Sequence, residues 1–291
     1  MLQLYKNSKV LEDMRIRESF QRKMLHLISK KGKYADHAVF DNEAFFQKGL
    51  ASSVEFFKRF KVQIDLKNKT ILDIGCGLGP TCYYTVLNGA AKAIGVDIRP
   101  EDIKFAQSKI SEYPNCRDKV EFKLLEDLNS AQFDIVLSKD SFEHYQNPEQ
   151  FMSVLKSYLK PDGKMIIGFS PLWKSPYGAH TWSLSRWPWI HVIFPESVVL
   201  IELRRYFEND NITYENWASG LNKMTADRYL RIVQENDLKI EYMEFNASSR
   251  IKARCTLALF NGLRLIPGLK EYFTVNIYSI LQIKESSYQT S

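Results

Sequence analysis

Residues 70–80, TILDIGCGLGP, decide how the rest of the chain is read. A short apolar run ends in Asp73, and Gly75, Gly77 and Gly79 then alternate with Cys76 and Leu78 before Pro80. An apolar run of this length, bounded by glycine, reads as a buried strand. The glycines let the backbone turn tightly and approach a ligand with no Cβ in the way, and proline suits the first turn of a helix. The unit is therefore strand, glycine turn, helix, with the turn at the carboxyl end of the strand.

Outward from that unit, short apolar runs alternate with helical patterns. Strands are expected over 70–74, 93–97, 120–125, 133–137 and 164–169, with helices near 79–88, 100–112 and 148–159. Such alternation means parallel strands with helices on both faces, and ligands in such a sheet bind beyond the carboxyl ends of the strands. A dinucleotide fingerprint, GxGxxG, would need glycine at position 80, where Pro80 stands, and it leaves Asp73 with no role on a pyrophosphate. A nicotinamide oxidoreductase is the weaker reading for that reason.

Asp73-x-Gly75-x-Gly77-x-Gly79 instead resembles the first motif of class I S-adenosylmethionine (SAM) dependent methyltransferases, and the resemblance continues in register. The second strand ends in Gly95-Val-Asp97, where a carboxylate can accept both ribose hydroxyls. The third runs into Leu125, Glu126, Asp127 and Leu128, where the family keeps an acid near the adenine amine; of the adjacent pair, Asp127 is favoured. The fourth, FDIVLSKDSFEH over 133–144, is similar to the family's FDxVxSxxxxEH segment, and LKPDGK over 159–164 resembles its LKPGG turn with Asp162 in place of a glycine. The resemblance covers residues 70–170. It implies a three-layer Rossmann-like α/β fold, a mostly parallel seven-stranded sheet with an antiparallel last strand, and SAM as cofactor. Asp73, Gly75, Cys76, Gly77, Gly79, Asp97, Ile98, Glu126, Asp127, Leu128, Ser138 and Lys139 are its candidate contacts. Asp73 is expected to accept from the loop's N–H groups or from the methionine ammonium. Asp134 is read as structural, and Cys76 and Cys82 as small packing residues.

After the fifth strand comes the least ordinary stretch, residues 171–195, PLWKSPYGAHTWSLSRWPWIHVIFP. Four of five Trp and two of five His fall between 173 and 191. Prolines break regular structure, so this reads as a loop-rich insertion at the carboxyl edge of the sheet, where an acceptor must approach. Tyr177, Trp182, Trp187 and Trp189 are candidate acceptor contacts; the alternative is a satellite core or a dimer face. His180 and His191 are candidate general bases, followed by His144, whose Glu-His pair lies beside the sulfonium in related enzymes.

The chain is 291 residues long with 45% hydrophobic and 25% charged residues, which excludes disorder and repeats of collagen type. The net charge of +6 sits in residues 1–33, with nine basic and three acidic residues; the remainder is balanced. Val10, Met14, Met24 and Leu27 are spaced there as on one helical face, read as packing on the main domain, with weak contact to a membrane surface as the alternative. No nucleic-acid signature accompanies the charge, so no nucleic-acid partner is expected. Four cysteines without metal spacing, no metal site, no signal segment and no spanning run point to a cytoplasmic protein, as monomer or homodimer. Thr225 is expected to cap a helix running to 236, followed by a strand over 238–245, a cationic apolar segment over 251–266 and a last strand over 274–283. The organisation expected is a basic helical extension (1–43), a SAM-binding core (44–172), a lid and acceptor-binding insertion (173–221) and the end of the core (222–291). The function expected is methyl transfer to a small-molecule acceptor, oxygen favoured and nitrogen close behind. The alternative is a non-catalytic SAM-binding module.

Overall fold

The computed structural model describes residues 18–29, 41–248 and 251–284. Helix α1 (18–28) precedes α2 (Asn42–Lys58), β1 (Thr70–Ile74), α3 (Pro80–Leu87), β2 (Lys92–Asp97), α4 (Pro100–Ser108), β3 (Val120–Leu124) and β4 (Phe133–Lys139). Then follow α5 (Pro148–Ser157), β5 (Leu159–Phe169), α6 (Ile190–Ile193), α7 (Glu196–Phe207), α8 (Ala226–Glu235), β6 (Leu238–Phe245), α9 (Ile251–Leu263) and β7 (Ile277–Ile283). Local chemistry sets several starts. Proline opens α3, α4 and α5, and the side chains of Asp41, Asn147 and Thr225 cap α2, α5 and α8 by accepting from Ala44, Gln150 and Arg228 N–H.

The sheet order is β3-β2-β1-β4-β5-β7-β6, and β7 runs antiparallel to both its neighbours. Side chains alternate across β1: Ile71 enters one core with Phe46, Phe56, Tyr83 and Phe122, and Leu72 and Ile74 enter the other with Val136, Met165 and Tyr229. Helices α2, α3 and α4 cover the first face, and α5 and α8 cover the second. The chain leaves β1 in one direction and reaches β4 on its other side, so the order reverses between β1 and β4, where a crevice opens beyond their carboxyl ends.

Several expectations shift in detail. LKPDGK forms no free turn: residues 159–164 lie within β5, and the irregularity appears as a register break opposite Phe133 and Ile135. The last strand starts at Ile277, because Val275 N–H donates to Asn246 Oδ1 (2.7 Å) and Asn276 Oδ1 accepts from Ala247 (2.8 Å), which holds 274–276 off the ladder. In α1 the buried side chain is Leu25, whereas Met24 and Leu27 are exposed; Val10 and Met14 lie outside the described residues.

The turn of α1 that faces inward is set by the segment 173–221, not by the sheet. Residues of 173–221 build their own core from Ala179, Leu184, Ile190, Val198, Leu203 and Tyr214, and Leu25 packs into it. Ser185 Oγ donates to the Ile28 carbonyl (3.0 Å), and His26 Nδ1 meets Glu202 Oε1 at 3.0 Å. Residues 173–221 are thus a folded subassembly with two helices, α6 and α7. Among the described residues no helix is long and apolar enough to cross a membrane, and no cluster suits a metal ion.

Candidate functional site

A cavity of about 900 Å³ opens at the reversal point between β1 and β4, large for a small-molecule site. Asp73, Gly75, Cys76, Gly77, Asp97, Ile98, Lys139 and His144 line it. The glycine turn has positive φ at Gly75, Gly77 and Gly79 (75°, 52° and 84°). At Gly79 a Cβ would meet the Phe122 ring at 2.5 Å, so this glycine lets α3 close onto β3 and does not itself line the cavity. At Gly77 a Cβ would meet nothing nearer than 3.9 Å; its backbone faces open space, as a ligand cradle requires.

Two carboxylates flank the turn and differ in their partners. Asp97 Oδ2 accepts from Gly77 N–H (2.9 Å) and Oδ1 from Arg99 N–H (3.1 Å), so it is the end of β2, and not Asp73, that receives the loop's N–H. Each oxygen keeps a further lone pair for a ligand hydroxyl. Asp73 is 2% exposed, and among the described residues its carboxylate accepts one hydrogen bond, from the Cys82 thiol at 3.7 Å. Burial raises its pKa to about 7, against a smaller lowering by the Lys139 charge. A buried, under-partnered carboxylate on a cavity wall suits a cationic group such as an α-ammonium. Burial also pushes the Cys76 and Cys82 thiols well up, which keeps both neutral.

The adenine-side candidates fall differently. Leu125 lines the cavity, but Glu126 and Asp127 sit exposed on a 3-10 turn and neither they nor Leu128 form its wall. The turn between β3 and β4 is short and points them to solvent. Ser138 is fully buried behind the wall, sharing a hydrogen bond with Ser141 Oγ (2.8 Å). Asp134, at the opposite end of β4, accepts from Thr70 N–H (2.8 Å), Thr70 Oγ1 and Lys160 Nζ (2.9 Å). Burial opposes its ionisation, but these bonds prevail and hold its pKa at about 2.

Among the described histidines, His144 alone lines the cavity. Its Nδ1 lies 2.6 Å from the Gly220 carbonyl, which can only accept, so Nδ1 carries the proton and Nε2 keeps a free lone pair. Burial lowers its pKa, so the ring is neutral at pH 7. Glu143, 4.0 Å from Nε2, is driven well above its ordinary pKa by burial and then by the Asp140 charge. His180 lies behind His144, ring to ring at 5.4 Å, and stacks on Trp182 at 4.7 Å. Burial, and then the His144 charge, lower its pKa to about 4. His191 donates or accepts only toward the lid interior, with Nε2 2.6 Å from the Trp173 carbonyl; since that oxygen accepts, Nε2 carries the proton.

Tyr177, Trp182, Trp187 and Trp189 do not line the cavity. Tyr177 donates to the Arg186 carbonyl (2.8 Å), Trp182 and Trp187 are exposed, and Trp189 packs against Phe260 and Phe273. The 173–221 segment meets the cavity wall through the ring contact of His180 with His144 instead. Sequence reasoning missed the wall contributed by α2, namely Phe45, Lys48 and Ser52, and the wall after β4, including Ser141, Tyr145 and Phe151. The helical pattern FFQKGLASSVEFF carried the first signal: Gly49 sits where a Cβ would meet Pro80 Cγ at 2.5 Å, bringing α2 against the glycine turn.

Residues 65–176 match the family model of the methyltransferase domain. Norajmaline N-methyltransferase of Rauvolfia serpentina is 32% identical over 105 residues, covering 35% of this chain and 36% of the relative. The mitochondrial ubiquinone biosynthesis O-methyltransferase of Dictyostelium discoideum is 26% identical over 211 residues, 62% of this chain and 60% of the relative. The chain thus spans less than two thirds of the length of either. A putative SAM-dependent methyltransferase structure from Listeria monocytogenes superposes with a TM-score of 0.52 at 17% identity, covering 81% of this chain and all of that one, a likeness of fold. The strand order, the glycine turn with its two acids and the family match converge: residues 65–176 form a methyltransferase domain, in a chain whose fold is that of SAM-dependent methyltransferases.

Proposed function

We propose that the protein transfers the methyl group of SAM to a small-molecule acceptor, with a hydroxyl oxygen favoured over nitrogen. The observation that carries this reading is the pairing of Asp73 and Asp97 around the glycine turn, one buried and under-partnered, the other held by two backbone N–H groups. Asp97 would accept the ribose hydroxyls and Asp73 would hold the ammonium, ionising as the cation approaches. Bound SAM supplies an electrophilic methyl on a sulfonium. The rest is positioning, because methyl displacement needs donor and acceptor aligned about 3 to 3.5 Å apart in a dry site.

The preference for oxygen rests on His144. A hydroxyl acceptor must lose its proton, and a neutral imidazole with Nδ1–H tied to the Gly220 carbonyl offers Nε2 as the base on the cavity wall. His180 acts as a positioning residue through its ring contact with His144, and His191 has no part in the chemistry. The relatives include both an N- and an O-methyltransferase, which supports small-molecule acceptors without choosing the atom.

The test is incubation with methyl-labelled SAM and paired phenol, carboxylic acid and amine acceptors, with products separated before and after alkaline hydrolysis. Label in ethers or esters supports the proposal. Label only in amines makes this an N-methyltransferase, and binding of SAM without transfer from any pool makes it a non-catalytic module.

A further inference from the structure

We propose that Lys109 is a positioning residue for the cavity: acting through Glu43, it sets the tilt of α2, the helix that walls the site beside the glycine turn. The inference rests on the reading of that cavity as the SAM site. Lys109 stands just past the carboxyl end of α4 and does not line the cavity, yet its side chain is only 4% exposed. Its ammonium donates to Glu43 Oε2 (2.7 Å) in the first turn of α2 and pairs with Glu112. It also lies over the rings of Phe46 and Phe105, 5.3 and 5.9 Å from their centroids. An ammonium withdrawn from water is costly unless it stays beside its carboxylates, so the contact fixes geometry more than it adds net stability.

Each half of α2 has its own hold. The carboxyl-terminal half is held at Gly49 against Pro80, by the Ser53 hydroxyl on Thr81 Oγ1 (3.0 Å) and by Phe56 against Tyr278. The amino-terminal half is held by Lys109 on Glu43 and by Phe46 among Tyr83, Phe105 and Tyr113. From this helix Phe45, Lys48 and Ser52 line the cavity. Phe45 lies four residues, about 6 Å of helix rise, from the Gly49 contact, so a tilt of about 10° there shifts it by about 1 Å. A displacement of about 1 Å is enough to cost about 10²-fold where function depends on alignment. Lys109 also couples two walls of the site: Ile98 and Arg99, which line the cavity, directly precede α4, and Lys109 directly follows it.

The test is calorimetric titration of S-adenosylhomocysteine into the full chain as wild type, Lys109→Met, Glu43→Gln, the double variant and Lys109→Arg, each checked for an unchanged near-ultraviolet circular dichroism spectrum. Methionine keeps an apolar stem over Phe46 and Phe105 and removes the charge. Glu43 is half exposed, so Glu43→Gln leaves the core intact and reads the contact even where Lys109→Met fails to fold. Each single variant should weaken binding by about tenfold, and the double variant by no more than the weaker of the two, because both break one contact. Lys109→Arg, which keeps the charge, should stay within about threefold of wild type. Wild-type affinity in Glu43→Gln overturns the proposal, since the lysine then does not act through that carboxylate. Additive losses in the double variant overturn it too, as does Lys109→Arg binding as weakly as Lys109→Met, which assigns Lys109 to packing alone. A wild type that binds no S-adenosylhomocysteine defeats the SAM reading itself and the proposal with it.

Discussion

Asp73 makes cofactor binding proton-linked. Its carboxyl titrates at about 7 instead of at its ordinary 3.8, chiefly through burial, so it is half protonated in the free protein at neutrality. Holding an α-ammonium requires the ionised form, so binding must release that proton below pH 7. At pH 5.5 only about 3% of free protein carries the ionised carboxyl, against about one half at pH 7. Affinity should therefore fall about 16-fold over that interval, or about 1.6 kcal/mol. The ligand's own amine, with a pKa near 7.7 to 8.0, stays mostly protonated throughout and contributes little. Calorimetric titration of S-adenosylhomocysteine at both pH values, in buffers of different ionisation enthalpy, reads the affinity and the proton count together. Asp73→Asn should bind more weakly at pH 7 and lose the slope. A wild-type affinity flat across this range, or a slope that survives in Asp73→Asn, refutes the reasoning. For the ligand-free fold the consequence is opposite in direction. A raised carboxyl pKa favours the folded state below the ordinary carboxylate range and loses that contribution as pH rises through about 7, so Asp73→Asn should melt higher than wild type at pH 8, by about 2 °C or more, with little difference at pH 4.

Asp97→Ala should weaken S-adenosylhomocysteine binding by about 1.5 to 3 kcal/mol, the scale of hydrogen bonds to a charged group, with equilibrium binding as the readout. His144→Gln keeps a side-chain donor for Gly220 but removes the base; turnover on a hydroxyl acceptor should fall by about 10² to 10⁴ with cofactor affinity unchanged, and on an amine acceptor the fall should be far smaller. Leu25→Ala empties a fully buried place in the lid core and should cost about 2 to 4 kcal/mol in chemical denaturation; a loss under about 0.5 kcal/mol would mean that α1 does not pack there in solution.

The sheet was legible because its strands are short apolar runs punctuated by glycine and proline, and Asp73 and Asp97 because each ends such a run. The acids after β3 misled, since a motif fixes a position along the chain but not the direction of a turn, and this one points Glu126 and Asp127 outward. The tryptophans misled for a related reason: aromatic density near the sheet edge is equally what a small satellite core and its exposed rim look like. The α2 wall was out of reach because Phe45, Lys48 and Ser52 precede the motifs by some twenty residues and meet them only through the close approach of Gly49 to Pro80. His144 emerged from the Glu-His motif, but its tautomer depends on Gly220, 76 residues away.

Binding of S-adenosylhomocysteine to the folded wild-type chain at pH 7.5, compared with NADH under the same conditions, tests the cradle most directly. The site described here predicts saturable heat with the adenosyl amino acid, reduced by Asp97→Ala, and none with the dinucleotide. Heat with NADH alone, or with neither ligand, would contradict it.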